Sequence, residues 1–463
     1  MVDLTPSSSF SLTVRLQIPN RSGMLANVMK AIAMAGGNLG RIDLIEQTRS
    51  ISLREINIDA ASTEHAQQII DMIKPLPEVK VINISDRTFN LHQGGKISVQ
   101  GKIPLNNQAD LAMAYTPGVG RVCMAIAEDP EQAYKLTIKR NTVAVVTDGS
   151  AVLGLGNLGP TAALPVMEGK AMLFKEFANI DAFPICLATQ DPDQIVEAVK
   201  HIAPVFGGIN LEDISAPRCF EIETRLREVL DIPVFHDDQH GTAIVTLAAL
   251  LNALRLVHKG IASVRIVING AGAAGVAIAR LLRKAGATTI YMCDSQGVIS
   301  TQRSDLNPQK QEFAVPETGS LADALKGADV FLGVSAPGVV TPEMVRSMAT
   351  DPIVFAMANP IPEIQPELVM DDVAVIATGR SDYPNQINNV LAFPGVLRGA
   401  LDCRAREITA TMYLEAALAI ASLINPTDLD RENIIPAVFD ERVVTTVAAA
   451  VQRAAREEGV AGC

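Results

Sequence analysis

Residues 264–294 leave this chain few choices of fold. Val264 to Ile268 is a strand-forming run, Gly270-Ala-Gly272-Ala273-Ala274-Gly275 follows it, Val276 to Arg283 has helical spacing, and Thr289 to Cys293 is a second apolar run ending at Asp294. The pattern predicts strand, tight turn, helix and parallel strand, and so an α/β fold. The glycines let the turn close, let a ligand approach the backbone and let the helix pack on the strand. Asp294 arrives 19 residues after Gly275, where an acid meets an adenosine ribose. A pyrophosphate would rest at the helix N-terminus on Gly270, Gly272, Ala273, Ala274 and Gly275. The unit therefore predicts a dinucleotide-binding domain.

Three further apolar runs, Val330 to Val334, Ile353 to Met357 and Val373 to Ala377, extend that sheet, and each ends in a small or polar loop. A nicotinamide would lie at this carboxyl edge, where Asn359, Asn388 and Asn389 offer amides. The tail from Arg398 to Val460 is alanine-rich and reads as helical.

Upstream, Phe206 to Thr242 reads as a βαβ unit: two apolar strands flank Ala216 to Asp231, where Ile222, Leu226, Val229 and Leu230 recur at helical spacing. A parallel crossover puts Glu212-Asp213 and Asp237-Asp238 at carboxyl ends of one sheet, facing one crevice. Gathered carboxylates repel unless protons or a cation offset them, and hard oxygen donors suit Mg²⁺ or Mn²⁺. Acids decorating exposed loops are the plain alternative for either pair alone.

Two side chains upstream of that unit stand out. Tyr115 sits in the turn-forming stretch Ala114-Tyr-Thr-Pro-Gly-Val119, and Lys170 follows Met167-Glu-Gly169 just before a helix read as Ala171 to Phe177. A lysine there is normally solvated surface, yet a partly desolvated lysine at a helix start has a lowered pKa and can act as a base. The glycines in Leu153-Gly-Leu-Gly156 allow close backbone approach to a ligand or to another chain segment.

Residues 10–85 have the order βαββαβ, a ferredoxin-like arrangement. Leu25, Val28, Met29 and Ile32 fill one face of the first helix, and Ala66, Ile69, Ile70 and Ile73 one face of the second. Residues 86–100 lack apolar periodicity and read as a linker, with a boundary near residue 90.

At 463 residues two or three cores are expected. A net charge of -12 with no dense basic cluster argues against nucleic acid. The apolar runs Ala243 to Val257 and Met412 to Ile424 are too short to span a bilayer, and the first residues lack a secretory pattern. Six cysteines without paired spacing predict reduced thiols in a cytoplasmic protein.

The N-terminal stretch, with Pro19-Asn-Arg-Ser-Gly-Met-Leu25 after its first strand and Gly37-Asn38 before its second, resembles an ACT domain. That resemblance implies an amino-acid or related effector at Asn20, Gly23, Met24, Leu25 and Asn38, or else a module that only builds a dimer interface. From residue 101 to about 400 the ordered motifs Tyr115-Thr-Pro-Gly-Val, Thr147-Asp-Gly, Leu153-Gly-Leu-Gly, Glu168-Gly-Lys170, Leu211-Glu-Asp213, His236-Asp-Asp-Gln-His-Gly-Thr242, Gly270 to Gly275 and Asn388-Asn389 resemble the malic enzyme family of bacterial type. The resemblance implies an ACT domain over 1–90, a substrate and metal domain over 91–242, and a Rossmann-type NAD(P)-binding domain with C-terminal helices over 243–463. It implies oxidation of malate and decarboxylation to pyruvate and CO₂, with Mg²⁺ or Mn²⁺ at Glu212, Asp213 and Asp238, Lys170 as base and Tyr115 as acid. Asn388, Asn389 and Asp237 would face substrate, and a homo-oligomer, dimer or larger, is expected.

At Ala151 the family's animal members carry an arginine for a malate carboxylate, so Arg121 is the candidate substitute. Asp294 favours NAD over NADP by repelling a 2′-phosphate, although Arg303 or Lys310 could neutralise one. The rival readings are a metal-free, non-decarboxylating hydroxyacid dehydrogenase and an inactive dinucleotide-binding sensor.

Overall fold

The computed structural model describes residues 6–463; the extreme N-terminus, read above for a secretory pattern, lies partly outside the described residues. The chain divides into two compact units, Met1–Ser98 and Val99–Cys463.

In the first unit, β1 (Ser7–Pro19), β2 (Asn38–Gln47), β3 (Ile51–Ala60) and β4 (Lys80–Asp86) form an antiparallel sheet of order β2-β3-β1-β4. Alternation on β1 buries Leu12, Val14, Leu16 and Ile18 against helices Met24–Met34 and Thr63–Ile73. On the first helix Val28 and Ile32 are fully buried, as their spacing requires, whereas Met29 is exposed and Met24 and Ala31 are buried in its stead. Residues 86–100 are not all linker. Arg87–His92 is a helix, capped by Asp86 through the Thr88 and Phe89 N–H groups. It buries no residue, so its signal lay in the cap and not in hydrophobic spacing.

The residues expected to hold an effector divide within one copy. Asn20 lies beside the β2–β3 turn, donating to the Thr48 carbonyl and accepting from Gln47, while Asn38 pairs with Asp59 at the far end of β3. Met24 lines a groove of about 340 Å³ with Arg21, Lys30, Met72 and Glu78. Gly23 starts the helix with φ 87°, and Leu25 is partly buried against the core.

The second unit holds two sheets. β5 (Thr142–Thr147), β6 (Asp181–Cys186), β7 (Gly208–Leu211) and β8 (Val234–His236) form an all-parallel sheet of order β6-β5-β7-β8. β9 (Arg265–Asn269), β10 (Thr289–Asp294), β11 (Gly297–Val298), β12 (Val330–Gly333), β13 (Ile353–Ala356) and β14 (Val375–Thr378) form the other, parallel except at β11, of order β11-β10-β9-β12-β13-β14. Helix Thr242–Leu256 leaves the end of β8 and is buried almost all round, which explains its uniformly apolar sequence. Each buried Leu, Ile or Val there contributes about 1.5–3 kcal/mol. Asn252 is tolerated because its amide donates to the Ala421 and Ile434 carbonyls. One continuous core joins both sheets, and helix Phe393–Asp402 returns to the first, setting Phe393 edge-on against Phe174 at 4.8 Å. Among the described residues no helix is long and apolar enough to cross a membrane.

Candidate active site

The βαβ unit forms as its sequence predicts, with helix Arg218–Val229 between parallel β7 and β8. Val229, expected in the buried stripe, is half exposed; Cys219, Ile222, Glu223 and Leu226 are the buried set. Glu212 and Asp213 follow β7 directly, and Asp237 and Asp238 open a π-helical turn, Asp237–Gly241, after β8. One carboxylate oxygen from each of Glu212, Asp213 and Asp238 lies within 4.8 Å of the others. The Asp213 N–H donates to Asp238 Oδ2 at 2.8 Å, with Asp213 held at φ 54°.

Burial first, then the charge of Asp238 and Glu212, pushes Asp213 up to about 8. Burial pushes Glu212 up to about 7 against the pull of Lys170, and burial with Asp237 pushes Asp238 up to about 6. Asp213 Oδ2 is buried with no hydrogen-bond partner. An all-oxygen donor set that burial makes costly to ionise, with one orphaned oxygen, fits a hard divalent cation.

Lys170 is neither at a helix start nor depressed in pKa. It lies in the middle of helix Pro160–Ala178, because burial of Ala163, Met167, Ala171, Phe174 and Ala178 along one stripe carries the helix through Pro165 and Gly169. Its Nζ lies 2.5 Å from Asp237 Oδ2 and 3.0 Å from Glu212 Oε1, over the Phe393 ring. Burial alone would lower its pKa, but Asp237 and Glu212 outweigh burial and raise it.

Asp237 is fully enclosed and also accepts from the Asn389 amide, so it orients Lys170 and offers substrate no exposed surface. Burial pushes it up to about 7. A Cβ on Gly241 would fall 1.9 Å from Asp237 Oδ1, which is why this position needs glycine. Asn388 caps the following turn through the Val390 N–H.

Two expected residues are not brought to this cluster. Tyr115, at the end of helix Gln108–Ala114, is 68% exposed, and Arg121 is exposed on helix Val119–Glu128. Nearer the cluster, Arg218 pairs with Asp148 at 3.2 Å, beside the Ala151 N–H that donates to the Asp213 carbonyl.

At the dinucleotide turn, a Cβ on Gly275 would fall 1.7 Å from the Gly270 carbonyl oxygen, so helix Ala273–Lys284 can seat itself only without one. Nothing lies within 4 Å of the Cβ position at Gly272, leaving that side open to a ligand. Asp294 ends β10 as expected and is gripped by Arg303 at 2.8 and 2.9 Å and by Lys310 at 2.7 Å. These cations outweigh burial and hold its carboxyl well below the usual range. Asn359 is exposed beyond β13, before a cis proline. Sequence reading missed Glu363, buried in the same edge, whose two oxygens accept from the Ser335 and Ala358 N–H groups and so tie the ends of β12 and β13.

Three family models match: an ACT domain over residues 6–83, the malic enzyme N-terminal domain over 94–227 and the malic enzyme NAD-binding domain over 239–456. An NAD-dependent malic enzyme of Geobacillus stearothermophilus is 57% identical over 99% of this chain and 97% of that one. The chain belongs to the malic enzyme family. A bifunctional malic/malolactic enzyme of Bacillus subtilis is 55% identical over 82% of this chain and 95% of that one. An NADP-dependent malic enzyme of Escherichia coli is 50% identical, matching 79% of this chain but 51% of its own length. Among solved structures, a malic enzyme from Pyrococcus horikoshii superposes with TM-score 0.77 at 49% identity, over 80% of this chain and 88% of that one. The family's NAD-binding domain is thus the unit built on Gly270 to Gly275, and the family's N-terminal domain contains Lys170, Glu212 and Asp213.

Proposed function

We propose that this malic enzyme oxidises malate with NAD and decarboxylates the product to pyruvate and CO₂. The observation that carries this reading is the contact of Lys170 Nζ with Glu212, one of three carboxylates suited to a divalent cation. Glu212, Asp213 and Asp238 would hold Mg²⁺ or Mn²⁺, which supplies Lewis-acid stabilisation of the enolate left by CO₂. A cation drawing on Glu212 would offset one of the two carboxylates that keep Lys170 protonated. The neutral amine would then be able to take the C2 hydroxyl proton as the C2 hydride is lost to the dinucleotide, with Asp237 and Asn389 fixing the direction of Nζ. The C3–C4 bond would then break, and Tyr115, which a single copy leaves exposed away from the cluster, would return a proton to C3 only where an oligomer brings it to the site.

Tyr115, Leu111, Met113 and Met124, on or beside neighbouring helices, are all exposed, which supports a homo-oligomer that covers apolar surface there. The ACT domain is proposed to take a small amino-acid-like effector, and the protein to work in the cytoplasm.

The test is substitution. Lys170→Ala and Asp238→Ala should each abolish malate-dependent NAD reduction in a folded protein. Near-normal turnover in either would remove that residue from the mechanism.

A further inference from the structure

The π-helical turn Asp237–Gly241 faces two ways. Asp237 and Asp238 point to the cleft, while Gln239 and His240 point back into helix Arg218–Val229. There a single carboxylate meets both. Glu223 Oε2 accepts from Gln239 Nε2 at 2.9 Å, and Glu223 Oε1 lies 2.6 Å from His240 Nε2. Glu223 is buried, 6% exposed. The His240 ring is itself stacked on Tyr413, 4.3 Å between centroids, so the tether is braced from helix Ala410–Ser422 as well.

A π turn places consecutive side chains differently from an α turn and is rare, found mostly as single-turn bulges at functional sites. Here the support comes from behind, and Asp238 is the residue next to Gln239. Movement of the turn would shift Asp238 relative to Glu212 and Asp213, which follow β7 directly. A carboxylate on helix Arg218–Val229 that holds two of the turn's four side chains is therefore placed to control that spacing.

We propose that Glu223 is a positioning residue for divalent-cation binding: it holds the Asp237–Gly241 turn so that Asp238 stays in register with Glu212 and Asp213. This inference rests on the proposed cation site and adds to it a residue that touches neither cation nor substrate. Partners behind metal ligands commonly govern affinity by about 10–100-fold, and Glu223 acts on the ligand through the backbone of the turn. Glu223→Gln keeps the shape but cannot accept from both neighbours.

The test is Mn²⁺ binding to the full chain without malate or dinucleotide, read from the electron paramagnetic resonance of free Mn²⁺, alongside melting in EDTA. Wild type should bind one equivalent and Asp238→Asn should not. Glu223→Gln should weaken binding about 10-fold or more while melting in EDTA within a few degrees of wild type. With activity assayed, the Mn²⁺ concentration for half-maximal turnover should rise, and kcat at saturating Mn²⁺ should largely recover. Should Glu223→Gln fail to fold, Gln239→Leu, which keeps the His240 contact, should show the same loss in smaller measure. Unchanged Mn²⁺ affinity in a folded Glu223→Gln, or in Gln239→Leu, overturns this inference while leaving the cation site standing. No Mn²⁺ binding by wild type overturns the cation site and this inference together.

Discussion

Lys170 Nζ lies 3.0 Å from Glu212 Oε1, so the proposed base and a carboxylate of the proposed cation site are in direct contact. Asp237, 2.5 Å from the other side of Nζ, completes the arrangement. On the proposed reading, proton transfer and cation binding would be coupled through these neighbouring side chains.

That arrangement depends on Gly241. A methyl group there would displace Asp237 from Lys170, so Gly241→Ala should cut kcat by about 10²–10⁴-fold, the range of a lost acid–base contribution. The added carbon in a packed turn should also cost about 1–3 kcal/mol of stability. Steady-state kinetics with denaturant melts checks both.

Cofactor preference should turn on Lys310. With Arg303 it neutralises Asp294, so NADP should be accepted as a weaker cofactor than NAD. Lys310→Ala should lower kcat/KM for NADP more than for NAD, by about 10-fold or more, as for loss of one charge-assisted hydrogen bond. Equal losses with both cofactors would assign Lys310 a structural role alone.

Stability without cation should fall as pH rises from about 5 to 8. Glu212, Asp237 and Asp213 are pushed up to about 7, 7 and 8, so the folded state holds their protons after the unfolded chain has lost them. A raised carboxyl stabilises the fold at low pH, and the benefit disappears as pH climbs through the folded value. His236, pushed down to about 4 by burial, acts oppositely but is one group against several. Each group contributes at most about 1.4 kcal/mol per pH unit while its protonation differs between states. Melting in EDTA across this range checks the sign, and Mn²⁺ should stabilise most at pH 8.

Removing residues 1–98 should leave a folded enzyme, since Val99–Cys463 has its own core. Malate turnover should persist, while any response to an amino-acid panel, worth about 1–3 kcal/mol of coupling, should vanish. A panel that leaves the full chain unaffected would reduce the ACT domain to a scaffold.

The βαβ unit and the dinucleotide turn were legible because apolar strands ending in acids or glycines carry their geometry in the backbone. Lys170 and Glu223 were harder. Both sit in otherwise apolar helical stripes, Ala163-Met167-Lys170-Phe174 and Cys219-Ile222-Glu223-Leu226, and are buried there with partners brought by other segments. A charge inside such a stripe was the available signal. A helix read as beginning only at Ala171 hides it for Lys170, and Glu223 stands among the charged Glu221, Arg225 and Arg227. The exposure of Tyr115 and Arg121 depends on packing that no local pattern encodes.

The most direct test measures CO₂ and NADH together from malate as Mn²⁺ is titrated against EDTA. Equal amounts of CO₂ and NADH, both lost on chelation and both restored by Mn²⁺, are predicted. NADH formed without CO₂, or turnover that survives chelation, would contradict the account and favour a metal-free hydroxyacid dehydrogenase.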